Sequence, residues 1–177
     1  MEHWAESQMV YEGEVVKLRV GEVTLDDGRR ALREVVMHPG GVCVVPYLAS
    51  RDAVVLIRQY RIALEDYALE APAGKLEGIE DPARRVVHEL EEETGYRAGR
   101  MIDTGHVYSS VGYCTEKIHL YLAFDLEQGE QRPDPDERIE IVEVPLADIR
   151  AGLRDYSITD AKTVIGLYRL LEYLDRA

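Results

Sequence analysis

Between Gly74 and Tyr96 the chain reads GKLEGIEDPARRVVHELEEETGY, and this stretch limits the possible folds more than any other. Asp81 suits a helix N-cap, Pro82 the first helical position and Gly95 the residue just past the end. Inside that helix Glu89, Glu91, Glu92 and Glu93 crowd four carboxylates into five residues. At about 100° per residue, Glu89, Glu92 and Glu93 fall within an arc of roughly 100°. Like charges three or four apart destabilise an isolated helix by about 0.2–0.5 kcal/mol per pair. Either a cation offsets that repulsion or the face is simply solvated. With Glu89 set at zero, Val86, Leu90, Ala83 and Val87 occupy about 60° to 160°, and the three carboxylates about −60° to 40°. One edge can therefore pack on a sheet while its neighbour faces a cleft. Clustered carboxylate oxygens are the ligands that Mg²⁺ or Mn²⁺ prefers.

The bulk properties narrow the function classes. A chain of 177 residues fits one domain with a proper core, and 46% hydrophobic with 31% charged residues fits a soluble globular protein. A net charge of −13 argues against nucleic acid or an anionic membrane as partner. No run approaches the ~20 apolar residues of a membrane span, and MEHWAESQMV has neither the basic nor the apolar part of a signal peptide. Cys43 and Cys114 lie in apolar runs without metal-ligand spacing, which reads as reduced thiols of a cytoplasmic protein.

Residues 13–37 read as a hairpin turning at Asp27-Gly28. Two apolar strands follow, GVCVVPYLA and DAVVLIRQY, then a short strand around Tyr67–Ala71. Past the acidic helix, strands are expected at 101–109, 117–125 and 137–144, the last two separated by the polar loop EQGEQRPDPDE. Helices near 146–154 and 160–175 close the chain. Strands first with helices inserted late give an α+β fold with mixed sheets.

The acidic stretch resembles the Nudix box, with Gly74, Glu80, Glu89, Leu90, Glu92, Glu93, Gly95 and Tyr96 at that motif's spacing. RQYR (58–61), LEAPAGKLEG (69–78) and REVVMH (33–38) are similar to the ADP-ribose and nucleoside-diphosphate-sugar pyrophosphatase branch of that family. One position departs: His88 stands where the box has an arginine that orients the glutamates. Arg85 also lies on the acidic face, four residues before Glu89, so His88, Arg85 or both replace the missing guanidinium.

The resemblance implies a Nudix α/β/α sandwich with mixed sheets, divided into an N-terminal β-hairpin region (1–40, used for dimerisation) and a hydrolase domain (41–177). It implies hydrolysis of a nucleoside diphosphate sugar with Mg²⁺, or Mn²⁺, as cofactor, in a homodimer. Glu89, Glu92, Glu93 and the Ala73 carbonyl would hold the metal, while Arg61, Arg33 and Glu70 would bind substrate. Residues three apart in a strand face opposite sides, so Arg58 is expected in a surface ion pair if Arg61 faces substrate. Glu92 and Glu93 also carry catalysis, and Glu137, on the polar loop, is the expected general base, with Asp136 as the alternative. ADP-ribose leads among the substrates, followed by GDP-mannose or ADP-glucose. Val111, in place of the family's proline before Gly112, weakens the case for ADP-ribose in particular. The rival from another class is a nucleotide-sensing Nudix domain without turnover.

Overall fold

The computed structural model describes residues 1–76, 81–133, 135 and 137–176. The chain forms two compact units, Met1–Gly40 with Tyr108–Lys117, and Gly41–Val107 with the chain from Ile118 onward.

The first unit is a three-stranded antiparallel sheet in the order β1 (Glu2–Glu12), β2 (Lys17–Leu25) and β3 (Arg30–Met37). The expected hairpin is β2–β3, whose turn uses Gly28 at φ 84°. Strand β1 extends it beyond the sequence reading. Its residues are exposed apart from a half-buried Trp4, so no period-2 apolar pattern announces it. Gly21 lets β1 approach: a Cβ there would meet the Glu6 carbonyl oxygen at 2.2 Å. Arg19 stacks its guanidinium over Trp4 at 4.4 Å from the ring centre. Segment Tyr108–Lys117 joins this unit through Val36, whose N–H donates to Tyr113 O (2.7 Å) and whose carbonyl accepts from Thr115 N–H (2.9 Å).

The second unit is built on a seven-stranded mixed sheet with the path β10-β5-β4-β9-β8. Its strands are β4 (Gly41–Leu48), β5 (Ala53–Arg61), β6 (Asp66–Glu70), β7 (Ala73–Lys75), β8 (Tyr96–Tyr108), β9 (Lys117–Gln128) and β10 (Ile139–Pro145). The terminal Tyr108 of β8 and Lys117 of β9 belong to the first unit. The short β7 was not foreseen from sequence; it pairs with β4. Strand β4 runs parallel to β9 and is buried along nearly its whole length. Its alternate side chains enter two separate cores. Cys43 and Val45 join Ile149 of α2 (Leu146–Arg154) and Leu167 and Leu170 of α3 (Ala161–Asp175). Val42 and Val44 join Val86 and Leu90 of α1 (Pro82–Thr94). Helices thus cover both faces, as the strands' unbroken apolar runs require, giving the expected α/β/α sandwich of α+β class. At Gly166 of α3 a Cβ would stand 2.7 Å from Val45, so glycine permits that close approach.

Among the described residues no helix is long and apolar enough to cross a membrane. Both cysteines are free, and burial pushes the fully buried Cys43 thiol up to about 12, which makes it unreactive.

Candidate active site

Helix α1 has the ends its sequence predicts. Asp81 accepts from Ala83 N–H (3.0 Å), and Gly95 closes the helix at φ 73°. These caps fix the helix register, and the register places Glu89 and Glu93 against strand β7. Both are buried, at 5% and 2% exposure, on a helix whose Val86 and Leu90 pull that edge into the core.

Strand β7 receives them. Ala73 N–H donates to Glu93 Oε2 at 2.8 Å. Gly74 lies directly under Glu89, where a Cβ would fall 1.5 Å from Oε1. The role of this glycine is therefore to leave room for a carboxylate. Arg85, one turn earlier, brings Nη2 to 2.5 Å from Glu89 Oε1, although that oxygen accepts no hydrogen bond of good geometry among the described residues. Of the two sequence candidates for the missing box arginine, Arg85 contacts a glutamate. His88 is exposed and lines a groove of about 330 Å³ with Glu91, Glu92, Arg97 and Arg132. Glu92, half-buried, faces that groove at the other edge of the acidic arc.

Burial dominates the electrostatics. It pushes the Glu93 carboxyl up to about 8, with the Ala73 N–H and Arg61 opposing and the charges of Glu89 and Glu137 reinforcing. It pushes Glu89 up to about 7, with Arg85 opposing and Glu92 and Glu137 reinforcing. Glu137 therefore lies within electrostatic reach of both carboxylates. The connection between β9 and β10, which carries Glu137, is tied to α1: Gln131 Nε2 donates to Glu93 O (2.8 Å), and Arg132 N–H to Glu92 O (2.9 Å).

Arg61 sits at the end of β5 with Nε 2.6 Å and Nη2 3.1 Å from the two oxygens of buried Glu70. Lys162 of α3 takes the second oxygen of Glu70 as well. Arg58, on the opposite side of the strand, pairs loosely with Glu140 at 3.8 Å on the surface, as its expected role requires. Arg33 lies in the first unit, where Glu2 holds its guanidinium at 3.1 and 2.6 Å. Glu80, Gly78 and Asp136 lie outside the described residues. Sequence reasoning missed Lys162 and Gln131. The Asp160-Ala-Lys-Thr163 start of α3 is a capping signal, but nothing local reveals that its lysine reaches Glu70.

The donors fit a hard divalent cation. Glu89 offers a buried oxygen that accepts no good hydrogen bond among the described residues, over a glycine backbone, with a second buried carboxylate one turn away. Among the described residues no three His, Cys, Asp or Glu side chains converge on one point. Mg²⁺ does not need such a cage, since it keeps several waters and shares its remaining positions with substrate phosphate.

Comparison with known proteins agrees with this geometry. Residues 37–164 match the NUDIX domain model. A methanol dehydrogenase activator of Bacillus methanolicus is 39% identical, covering 93% of this chain and 89% of that protein. An ADP-ribose pyrophosphatase of Bacillus subtilis is 36% identical, covering 92% and 89%. A GDP-mannose pyrophosphatase of Cronobacter sakazakii is 36% identical, covering 84% and 83%. A crystal structure described as an ADP compounds hydrolase superposes with a TM-score of 0.86 at 24% identity, over 98% of this chain and 94% of that one, which shows the same fold. Nudix hydrolases generally use divalent metals, and with the box on α1, the matching domain model and these relatives, the chain belongs to the Nudix family.

Proposed function

We propose that this Nudix protein hydrolyses the diphosphate bond of ADP-ribose or a related nucleoside diphosphate sugar, releasing a nucleoside monophosphate and a sugar phosphate. The observation that carries the reading is the buried pair Glu89 and Glu93 over the glycine floor of β7. The names of the Bacillus subtilis and Cronobacter sakazakii relatives support the substrate class.

Glu89, Glu93, Glu92 and the Ala73 carbonyl would hold Mg²⁺, or Mn²⁺ in its place. Bound there, the ion supplies charge stabilisation at the phosphoryl oxygens and acidifies the attacking water. The chain's own groups do the rest. Arg61, held in orientation by Glu70, places positive charge on the diphosphate, and Arg33 remains a candidate substrate ligand. Glu137 takes the proton of the attacking water, since the box carboxylates would be engaged in holding the ion. Its electrostatic reach to Glu89 and Glu93 supports that role. The working form is a cytoplasmic homodimer. The exposed edge strand β1 is what a partner subunit would cover, and a monomeric mass by light scattering would refute this.

A second reading is favoured by the Bacillus methanolicus relative, whose name describes activation of a dehydrogenase. On that reading the chain binds a nucleotide and regulates another enzyme without turnover. Product release from a panel of diphosphate sugars, with Mg²⁺ and Mn²⁺ compared, separates the two. AMP from ADP-ribose at enzymatic rates supports the hydrolase. Binding without release from any member of the panel supports the regulator.

A further inference from the structure

Lys162 is the second residue of α3, with its side chain 14% exposed. Its ammonium contacts Glu70 Oε2 and lies 2.9 Å from Asp160 Oδ2. Glu70, 4% exposed, is thus shared between two cations, one from β5 and one from α3. Burial alone would raise the Glu70 carboxyl, but Arg61 and Lys162 more than offset that and hold it ionised. The first turn of α3 is fastened to the same backbone. Thr163 Oγ1 accepts from Ala71 N–H at 2.7 Å and lies 2.5 Å from its own acceptor, Asp160 Oδ2.

The charges of this cluster balance: Arg61 and Lys162 against Glu70 and Asp160. Without Lys162 the set becomes net negative beside the one guanidinium assigned to the diphosphate. An anion approaching Arg61 would then meet a repulsive field in a partly desolvated site, where such fields are poorly screened.

We propose that Lys162 is a positioning residue for diphosphate binding, which neutralises Glu70 so that this carboxylate orients Arg61 without cancelling its charge. The inference rests on the proposed function, in which Arg61 binds the diphosphate. Lys162 acts through Glu70 on binding that is common to ground and transition states, so its loss appears in KM and leaves kcat alone.

The test is steady-state kinetics with ADP-ribose beside a calorimetric Kd for the same compound in EDTA, which reads binding without turnover. Lys162→Met raises KM and Kd about tenfold with kcat held within about twofold, and Lys162→Arg restores both. In a Glu70→Gln background Lys162→Met raises KM by a smaller factor, less than about threefold, because the carboxylate that holds Arg61 no longer carries charge and only Asp160 remains beside Lys162. Equal factors in both backgrounds, or a fall in kcat at constant KM, would overturn the proposal. If Lys162→Met does not fold, Lys162→Gln, which keeps a donor without the charge, carries the same expectation. Arg61→Ala separates the two levels. An unchanged KM in that variant sinks the role of Arg61, whereas a raised KM there beside unchanged Lys162 variants sinks the role of Lys162 alone.

Discussion

The buried carboxylates make the metal-free protein lose stability as pH rises, which inverts the usual behaviour of paired acids. Glu93 titrates at about 8 and Glu89 at about 7 in the folded chain, against an ordinary 4.5. From about pH 4.5 the unfolded chain releases these protons while the folded chain keeps them. The unfolded state therefore binds fewer protons, and stability falls with pH until the folded groups have also ionised, near pH 8. At about 1.4 kcal/mol per pH unit for each group, the ceilings are roughly 5 kcal/mol for Glu93 and 3 kcal/mol for Glu89. Repulsion from Glu89 is part of the Glu93 figure, so the two ceilings overlap. Discounted further for relaxation around buried charges, they give a combined loss of about 3 kcal/mol between pH 5 and pH 8, or roughly 6–12 °C in Tm. Thermal unfolding in EDTA across that range measures it. Glu93→Gln keeps an oxygen for the Ala73 N–H but cannot ionise, so its Tm should fall less and exceed the wild-type value at pH 8. The same linkage makes stabilisation by millimolar Mg²⁺ larger at pH 8 than at pH 5, because ligation requires the ionised form. Groups that do not interact with Glu93 titrate equally in both proteins and cancel in the comparison. A wild-type minus Glu93→Gln difference that stays flat with pH would refute the argument.

Two further predictions concern the site. Arg85→Ala removes the cation beside Glu89 and should cost about 1–3 kcal/mol with a marked loss of turnover, whereas His88→Ala should stay within about 0.5 kcal/mol; equal losses in melting and kinetics would reject Arg85 as the substitute for the box arginine. Glu137→Gln should lower turnover by about 10²–10⁴-fold while calorimetry still detects metal and substrate, and wild-type turnover would move the base elsewhere.

The acidic helix could be read from sequence because ligand chemistry fixes both residue type and spacing. Asp81, Pro82 and Gly95 set its ends, and a 3.6-residue period sends Leu90 to the core and Glu89 to its edge. The central strands were equally legible, since burial on both faces leaves unbroken apolar runs. Strand β1 was not, because its pairing depends on a neighbour's Gly21 rather than on any pattern of its own. Gly74 reads as a loop residue in sequence, yet it lies in β7, and the reason for it is a carboxylate 15 positions later. Helical spacing left Arg85 and His88 open together because both lie within a turn of Glu89. Only packing decides which side chain turns toward the core edge and which toward the groove. Lys162 marks the same boundary more sharply: it meets Glu70 across 92 residues, a contact that exists only once α3 has docked on β4. Local rules place the groups that touch the reaction, and the groups that hold them in place come from wherever the fold brings a helix end close.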